Sequence, residues 1–249
     1  MKRVVVLAGP SGSGKSEISL NLALQHKQQE PVVLVDLDII KPLFRLRNLR
    51  AQIEPLRLRF ITTGSEWDVT DMPILPGQLG RWLESDQTVI VDLGGDGAGA
   101  RVLVQYASSL PVGETDMLFV ANPNRPFARN AEESLAALRG IEANTGIPFT
   151  ALVSNPHLKE YTALSTILDG HHLVEELSLL SGLPIACIAV REDLVPAVRL
   201  RLNHALSSRI TPARAGGKRE ESGDLPVLPL QIWIRPPWEL AAPGREGGE

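Results

Sequence analysis

Short uninterrupted apolar runs recur along the chain, each followed by polar or glycine-rich residues and then by apolar residues spaced three or four apart. The strands they predict lie at 2–8, 31–35, 88–93, 116–121, 150–154 and 184–190, and several of these are continuous Val, Ile and Leu segments. Continuous Val, Ile and Leu without polar alternation is what a strand buried on both faces needs, and such strands belong to parallel sheets. Between them, Ile18 and Leu22 share one face of a helix over 16–26, and Leu135, Leu138 and Ile141 share a face over 131–143. The same period continues over 162–180,. Gly146 and Gly182 each fall just past a predicted helix with a proline two residues on, a stop signal,. Strand alternating with helix predicts an α/β protein with a mostly parallel, doubly wound sheet and helices on both faces.

The pattern fades after the last helix. Residues 214–224 are rich in Gly, Lys, Arg, Glu and Ser and have no period, so they form the core of an expected flexible linker,. Apolar residues return over 226–235, with prolines at both ends, which predicts a C-terminal edge strand,. The organisation expected is a main domain at 1–205, a linker at 206–224 and a tail at 225–249.

The first apolar run, Val4-Val5-Val6-Leu7-Ala8, ends in Gly9-Pro10-Ser11-Gly12-Ser13-Gly14-Lys15-Ser16 and opens a helix. This is a complete G-x-x-x-x-G-K-[ST] loop in its strand-to-helix setting. Glycines let backbone N–H groups turn inward on phosphate, Lys15 can reach the β- and γ-phosphates, and Ser16 can bind Mg²⁺. The helix N-terminus adds unpaired N–H groups that favour anions. Gly9, Ser11, Gly12, Ser13, Gly14, Lys15, Ser16 and Glu17 are the candidate nucleotide-binding residues here, so the expected fold is that of a P-loop NTPase.

Ligands in open parallel sheets sit beyond the carboxyl ends of the strands, where this chain places polar residues after strand upon strand. Asp92 closes an apolar run as a Walker B acid does, a candidate for holding Mg²⁺,. Gly95 ends an Asp-x-x-Gly element whose N–H could meet a γ-phosphate and move when it leaves. Asp36 and Asp38 follow the second run. Asp38 is the candidate for orienting an attacking water, and Asp36 for capping the turn or supporting the metal shell. Asn122, Arg125 and Arg129 follow the fourth run, and Asn155-Pro156-His157 the fifth.

The strings GPSGSGKS, VDLDII, VDLGGD and SNP resemble those of the MinD/ParA/CobQ group of P-loop ATPases, a SIMIBI-type group, over roughly the first two hundred residues,. That resemblance implies Lys15 and Ser16 as phosphate and Mg²⁺ residues, Asp38 as the hydrolytic acid and Lys15 its catalytic partner. It further implies Asp92 as the Walker B acid, Asn155 as an adenine contact, and ATP with Mg²⁺ as the cofactors. Members that form a nucleotide-sandwiched homodimer usually carry a second lysine just after the first glycine, and here that place is Pro10. A guanine-selecting Asn-Lys-x-Asp is also missing, since Pro156, His157 and Leu158 follow Asn155. ATP is therefore expected over GTP, and a homodimer remains open only through other contacts.

Composition narrows the picture in three places. A net charge of −4 over 249 residues offers no case for nonspecific nucleic-acid binding,. One local exception, 41–59, carries Lys41, Arg45, Arg47, Arg50, Arg57 and Arg59 against Glu54, either a partner-binding surface or a solvated face,. The single cysteine, Cys187, lies in an apolar run and reads as a buried hydrophobe,. No run is long enough to span a membrane, so a cytoplasmic protein is expected. His171 and His172, adjacent on a predicted helix, complete no metal motif and read as surface residues,. The expected function is a slow Mg²⁺-ATPase switch acting on an unidentified partner protein, by analogy in metallocentre or cofactor assembly or in positioning. The rival readings are a small-molecule kinase or carboxylate-activating ligase of the dethiobiotin-synthetase or cobyrinate type, and a non-hydrolysing nucleotide-sensing adaptor.

Overall fold

The computed structural model describes residues 2–38, 46–62, 79–95, 97–126, 128–208 and 225–234. Among these described residues eight strands form one sheet: β1 (Val4–Ala8), β2 (Val32–Leu37), β3 (Arg59–Thr62), β4 (Thr88–Leu93), β5 (Thr115–Ala121), β6 (Ala151–Ser154), β7 (Ile185–Arg191) and β8 (Val227–Leu230). Their order is β3-β2-β4-β1-β5-β6-β7-β8, and every pairing is parallel. The helices are α1 (Lys15–His26), α2 (Arg50–Ile53), α3 (Leu79–Leu83), α4 (Gly97–Arg101), α5 (Ala131–Thr145), α6 (Leu164–Ser181) and α7 (Val195–Ser208).

The apolar runs are buried on both faces because alternate residues feed different cores. Val4, Val6 and Ala8 of β1 join Leu138 and Ile141 of α5 and Val174 and Leu177 of α6. Val5 and Leu7 join Ile18, Leu20 and Leu22 of α1 on the other face. Phe119 of β5 is fully buried and meets Phe149 edge-on, with ring centroids 5.2 Å apart at 81°. Burial at both faces explains why these strands carry no polar alternation.

Helix ends follow the sequence signals. Asn130 caps α5 by accepting the Glu133 N–H at 2.8 Å, and Glu133 reaches back to accept the Arg129 N–H at 3.0 Å. Gly146 (φ 69°) and Gly182 (φ 74°) end α5 and α6 in the left-handed region that glycine tolerates,.

Several elements depart from the pattern. β3 and the short α2, α3 and α4 are too brief to show a period. α7 runs to Ser208, so its last turn takes residues that composition places in the linker, of which 209–224 lie outside the described residues. The tail strand spans Val227–Leu230, shorter than the expected 226–235, and pairs with β7 at the sheet edge. His171 is buried, not on the surface. It follows Ile167 and precedes Val174 on the inward face of α6, and its Nδ1 lies 2.9 Å from Ser154 Oγ. Among the described residues no helix is long and apolar enough to cross a membrane.

Candidate functional site

β1 lies at the centre, with β4 on one side and β5 on the other, so the chain switches direction across the sheet at the carboxyl end of β1. The P-loop occupies that switch point, where an open α/β sheet leaves a crevice. Gly14 precedes α1 at φ +94°, and a side chain there would also overlap Asn155 Nδ2. Gly9 would place a Cβ 2.6 Å from the Val120 carbonyl. Both glycines are demanded by close approach as well as by backbone shape.

Lys15 is 3% exposed, and its Nζ donates to the carbonyls of Gly9 at 2.9 Å and Pro10 at 3.0 Å. The ammonium thus spans the mouth of the loop. Asn155 is buried beneath it and donates from Nδ2 to the Ser13 carbonyl at 2.6 Å. Its Oδ1 is buried without a partner. In this arrangement Asn155 braces the phosphate loop, a contact its place in the sequence did not reveal. Arg125 donates from Nε to the Gly12 carbonyl at 3.0 Å and holds the loop from the other side.

Three acids meet behind Lys15. Asp36 of β2 and Asp92 of β4 are register partners on adjacent parallel strands, and both are fully buried. Asp38 is 4% exposed, and its N–H donates to Asp36 Oδ1 at 3.0 Å, so Asp36 caps this turn. Burial raises the Asp92 carboxyl to about 7, and the charges of Asp36 and Asp38 push the same way against the pull of Lys15 and the Ser16 hydroxyl,. Neither oxygen of Asp92 meets a partner at hydrogen-bonding geometry, though Ser16 approaches near enough to favour the charged form.

A crowded set of hard oxygen ligands beside a serine hydroxyl fits Mg²⁺. That ion prefers one or two protein oxygens with water and substrate phosphates over an all-protein cage. Among the described residues no three His, Cys, Asp or Glu side chains form such a cage. Ser16 and Asp92 would hold the ion directly or through water, and it would neutralise charge on the β- and γ-phosphates.

Gly95 lies against the P-loop. A Cβ there would overlap the Gly9 carbonyl and come within 2.9 Å of Lys15 Nζ. A Cβ at Gly94 would approach Gly99 at 2.9 Å and Asp38 Oδ1 at 3.2 Å. The loop after Asp92 is thus pressed between Asp38 and the phosphate cradle.

Glu17 takes a part its sequence position did not suggest. Its Oε1 accepts the Trp233 N–H at 2.7 Å and its Oε2 the Ile234 N–H at 3.1 Å. Burial raises its pKa, against those two hydrogen bonds and the charge of Lys159. The C-terminal tail therefore reaches the site, and with the P-loop it lines an open cavity of about 400 Å³ that Asp38, Arg125, Asn155, His157 and Lys159 also line.

The remaining candidates fall elsewhere. Arg129 is exposed and its backbone serves the α5 cap. In the basic segment, Arg59 stacks over Trp82 at 4.7 Å, while Lys41 and Arg45 lie outside the described residues. The Cys187 thiol is pushed up to about 12 by burial, as an inert hydrophobe would be,.

Likeness to known proteins lies at the level of the fold. A Zeta toxin family model matches residues 1–59. No curated protein matches the chain in sequence. Among solved structures, FtsY from Mycoplasma mycoides is similar at 12% identity and a TM-score of 0.50, over 75% of this chain and 59% of that one. Signal recognition particle receptor FtsY from Elizabethkingia anophelis is similar at 20% identity and a TM-score of 0.49, over 74% and 57%. FlhF complexed with GTP/Mg(2+) is similar at 12% identity and a TM-score of 0.47, over 76% and 65%. The chain spans less than three fifths of the length of the FtsY chains named. Fold and site together define a nucleotide-binding protein with the α/β P-loop NTPase fold.

Proposed function

We propose that the chain is a Mg²⁺-dependent ATP-binding protein of the MinD/ParA/CobQ kind that hydrolyses ATP slowly and uses the bound nucleotide as a switch on a partner protein. The observation that carries this reading is the seat of Gly95. Its backbone lies so close to Gly9 and Lys15 that no side chain fits. A γ-phosphate entering beneath Lys15 presses on the same backbone, and its loss releases it. The segments that respond are those following Asp38 and Gly94, of which 39–45 and Asp96 lie outside the described residues.

Each residue then has a task. The P-loop amides and Lys15 hold the phosphates, and Ser16 with Asp92 holds Mg²⁺. Asp38, whose Oδ1 stands beside Gly94, orients water toward the terminal phosphate. Such positioning is most of what phosphoryl transfer asks of a protein. Leu158 in place of a guanine-reading carboxylate favours ATP over GTP. With Pro10 in place of the signature lysine, no charge from that position crosses a homodimer interface. The role of the switch in metallocentre or cofactor assembly, or in positioning, rests on family analogy.

Phosphate release from Mg·ATP tests this directly. Lys15→Ala should abolish binding and turnover together. Asp38→Ala should keep binding within a few fold and lower turnover by about a hundredfold or more. Turnover unaffected by Asp38→Ala removes the hydrolytic role. ADP formation only when an acceptor is added turns the reading to a kinase or ligase.

A further inference from the structure

The cavity at the P-loop has two chemically different walls. One is the phosphate cradle already described. The other is the C-terminal tail, whose Leu230, Ile232 and Ile234 line the cavity at every second residue, the period of an extended chain,. A triphosphate has no use for an apolar wall, whereas a nucleoside does.

The tail is fastened at this place. The Trp233 and Ile234 N–H groups donate to the two oxygens of Glu17. One helical turn along α1, Asn21 pairs with the Gln231 backbone in both directions, Nδ2 to carbonyl at 2.9 Å and N–H to Oδ1 at 2.9 Å. Four hydrogen bonds thus carry the extended segment past the end of β8 and along the first turns of the P-loop helix. Leu228 and Leu230 are buried in the core beneath α1 and anchor its start.

A second, independent observation points to a ligand in the same cavity. His157 lines the cavity, and its Nδ1 accepts the Lys159 N–H at 2.9 Å, so the ring proton of the neutral imidazole lies on Nε2,. That Nε2 is buried and meets no partner. Asn122 holds the backbone of His157 by donating from Nδ2 to its carbonyl at 3.0 Å. Gly170 of α6 lets Pro156 pack so closely that a side chain there would overlap the proline ring. A residue of the cavity lining thus carries a positioned, buried N–H donor with an unmet bond, which a native protein satisfies with a partner,.

We propose that the tail segment 230–234 and His157 together form the nucleoside subsite, with the base packed on Ile232 and Ile234 and the His157 Nε2–H donated to an acceptor on the base edge. This rests on the nucleotide reading of the P-loop. The C-terminal tail is then a working wall of the nucleotide site and not an independent arm for docking a partner.

Calorimetric titration of the full chain with Mg·ATP and, separately, Mg·tripolyphosphate tests it, because the two ligands share the phosphate cradle and differ in the nucleoside. Ile232→Ala/Ile234→Ala should weaken ATP binding roughly tenfold and leave tripolyphosphate within about twofold. His157→Phe should do likewise. Equal weakening of both ligands, or of neither, overturns the proposal. A parent chain that binds neither ligand overturns the nucleotide reading and this subsite with it, whereas a parent that binds both with the same affinity overturns the subsite alone. Amide hydrogen exchange of the unmutated chain is a check independent of variant folding: residues 230–234 should be protected by ATP and not by tripolyphosphate. Equal protection by both counts against the subsite.

Discussion

Replacing Asp92 by Asn removes a charge from a place where the fold resists it. The carboxyl is fully buried, lies in register with Asp36 on the next strand, and is raised from 3.8 to about 7. At about 1.4 kcal/mol per pH unit, a rise of that size, shared with the neighbouring acid Asp36, is a folding penalty of a few kcal/mol for the charged form,. The folded chain holds this proton more tightly than the unfolded chain. Its stabilising contribution is therefore complete below pH 3.8, falls as pH rises, and is lost above about 7. Asn resembles the protonated acid, so Asp92→Asn should raise stability by about 2–4 kcal/mol at pH 8 and change it little near pH 4. Urea unfolding with a chelator present, run for both proteins from pH 4 to 8, measures this difference directly. The same variant should lose Mg²⁺-dependent nucleotide binding, so stability and function move in opposite directions. A variant that is less stable at pH 8, or more stable by the same amount at every pH, would refute the electrostatic account of this site.

His157 gives the opposite slope. Burial and the charges of Arg191, Arg125 and Lys159 lower it from 6.5 to about 4, so stability present above 6.5 is lost as pH falls toward 4, by about 3 kcal/mol. His157→Gln should flatten that loss in the same urea series. Gly95→Ala places a methyl group against the Gly9 carbonyl and beside Lys15. It should weaken nucleotide binding by tenfold or more and lower the melting temperature, through overpacking of about 1–3 kcal/mol. Asn155→Ala removes the brace on the Ser13 carbonyl. It should destabilise the fold by about 1–3 kcal/mol and weaken tripolyphosphate as much as ATP, which separates a brace from a base contact in calorimetry.

Much of the fold was legible because parallel strands buried on both faces leave no polar alternation, and β1, β2, β4, β5, β6 and β7 each show as an apolar run. The helices α1, α5 and α6 were legible through their period and the glycines that end α5 and α6. β3, α2, α3 and α4 were not, since four or five residues cannot display a period. His171 was misread because adjacent histidines look alike in sequence, and only the rotation of α6 decides which of them turns inward to Ser154.

The site divides along the same line. A phosphate loop is a local device, so its glycines, Lys15 and Ser16 declared themselves in eight consecutive residues. The acids after each strand could be picked out because a parallel sheet sends all its carboxyl ends to one side. Which of those acids share a charge, and what the others touch, depends on register and packing between distant segments. Asp36 and Asp92 are 56 positions apart yet become neighbours through the β2–β4 pairing. The bond between Glu17 and Trp233 spans 216 positions. No local pattern encodes a carboxylate on α1 accepting backbone N–H groups from the far end of the chain, so only the tertiary structure brings the tail to the nucleotide site.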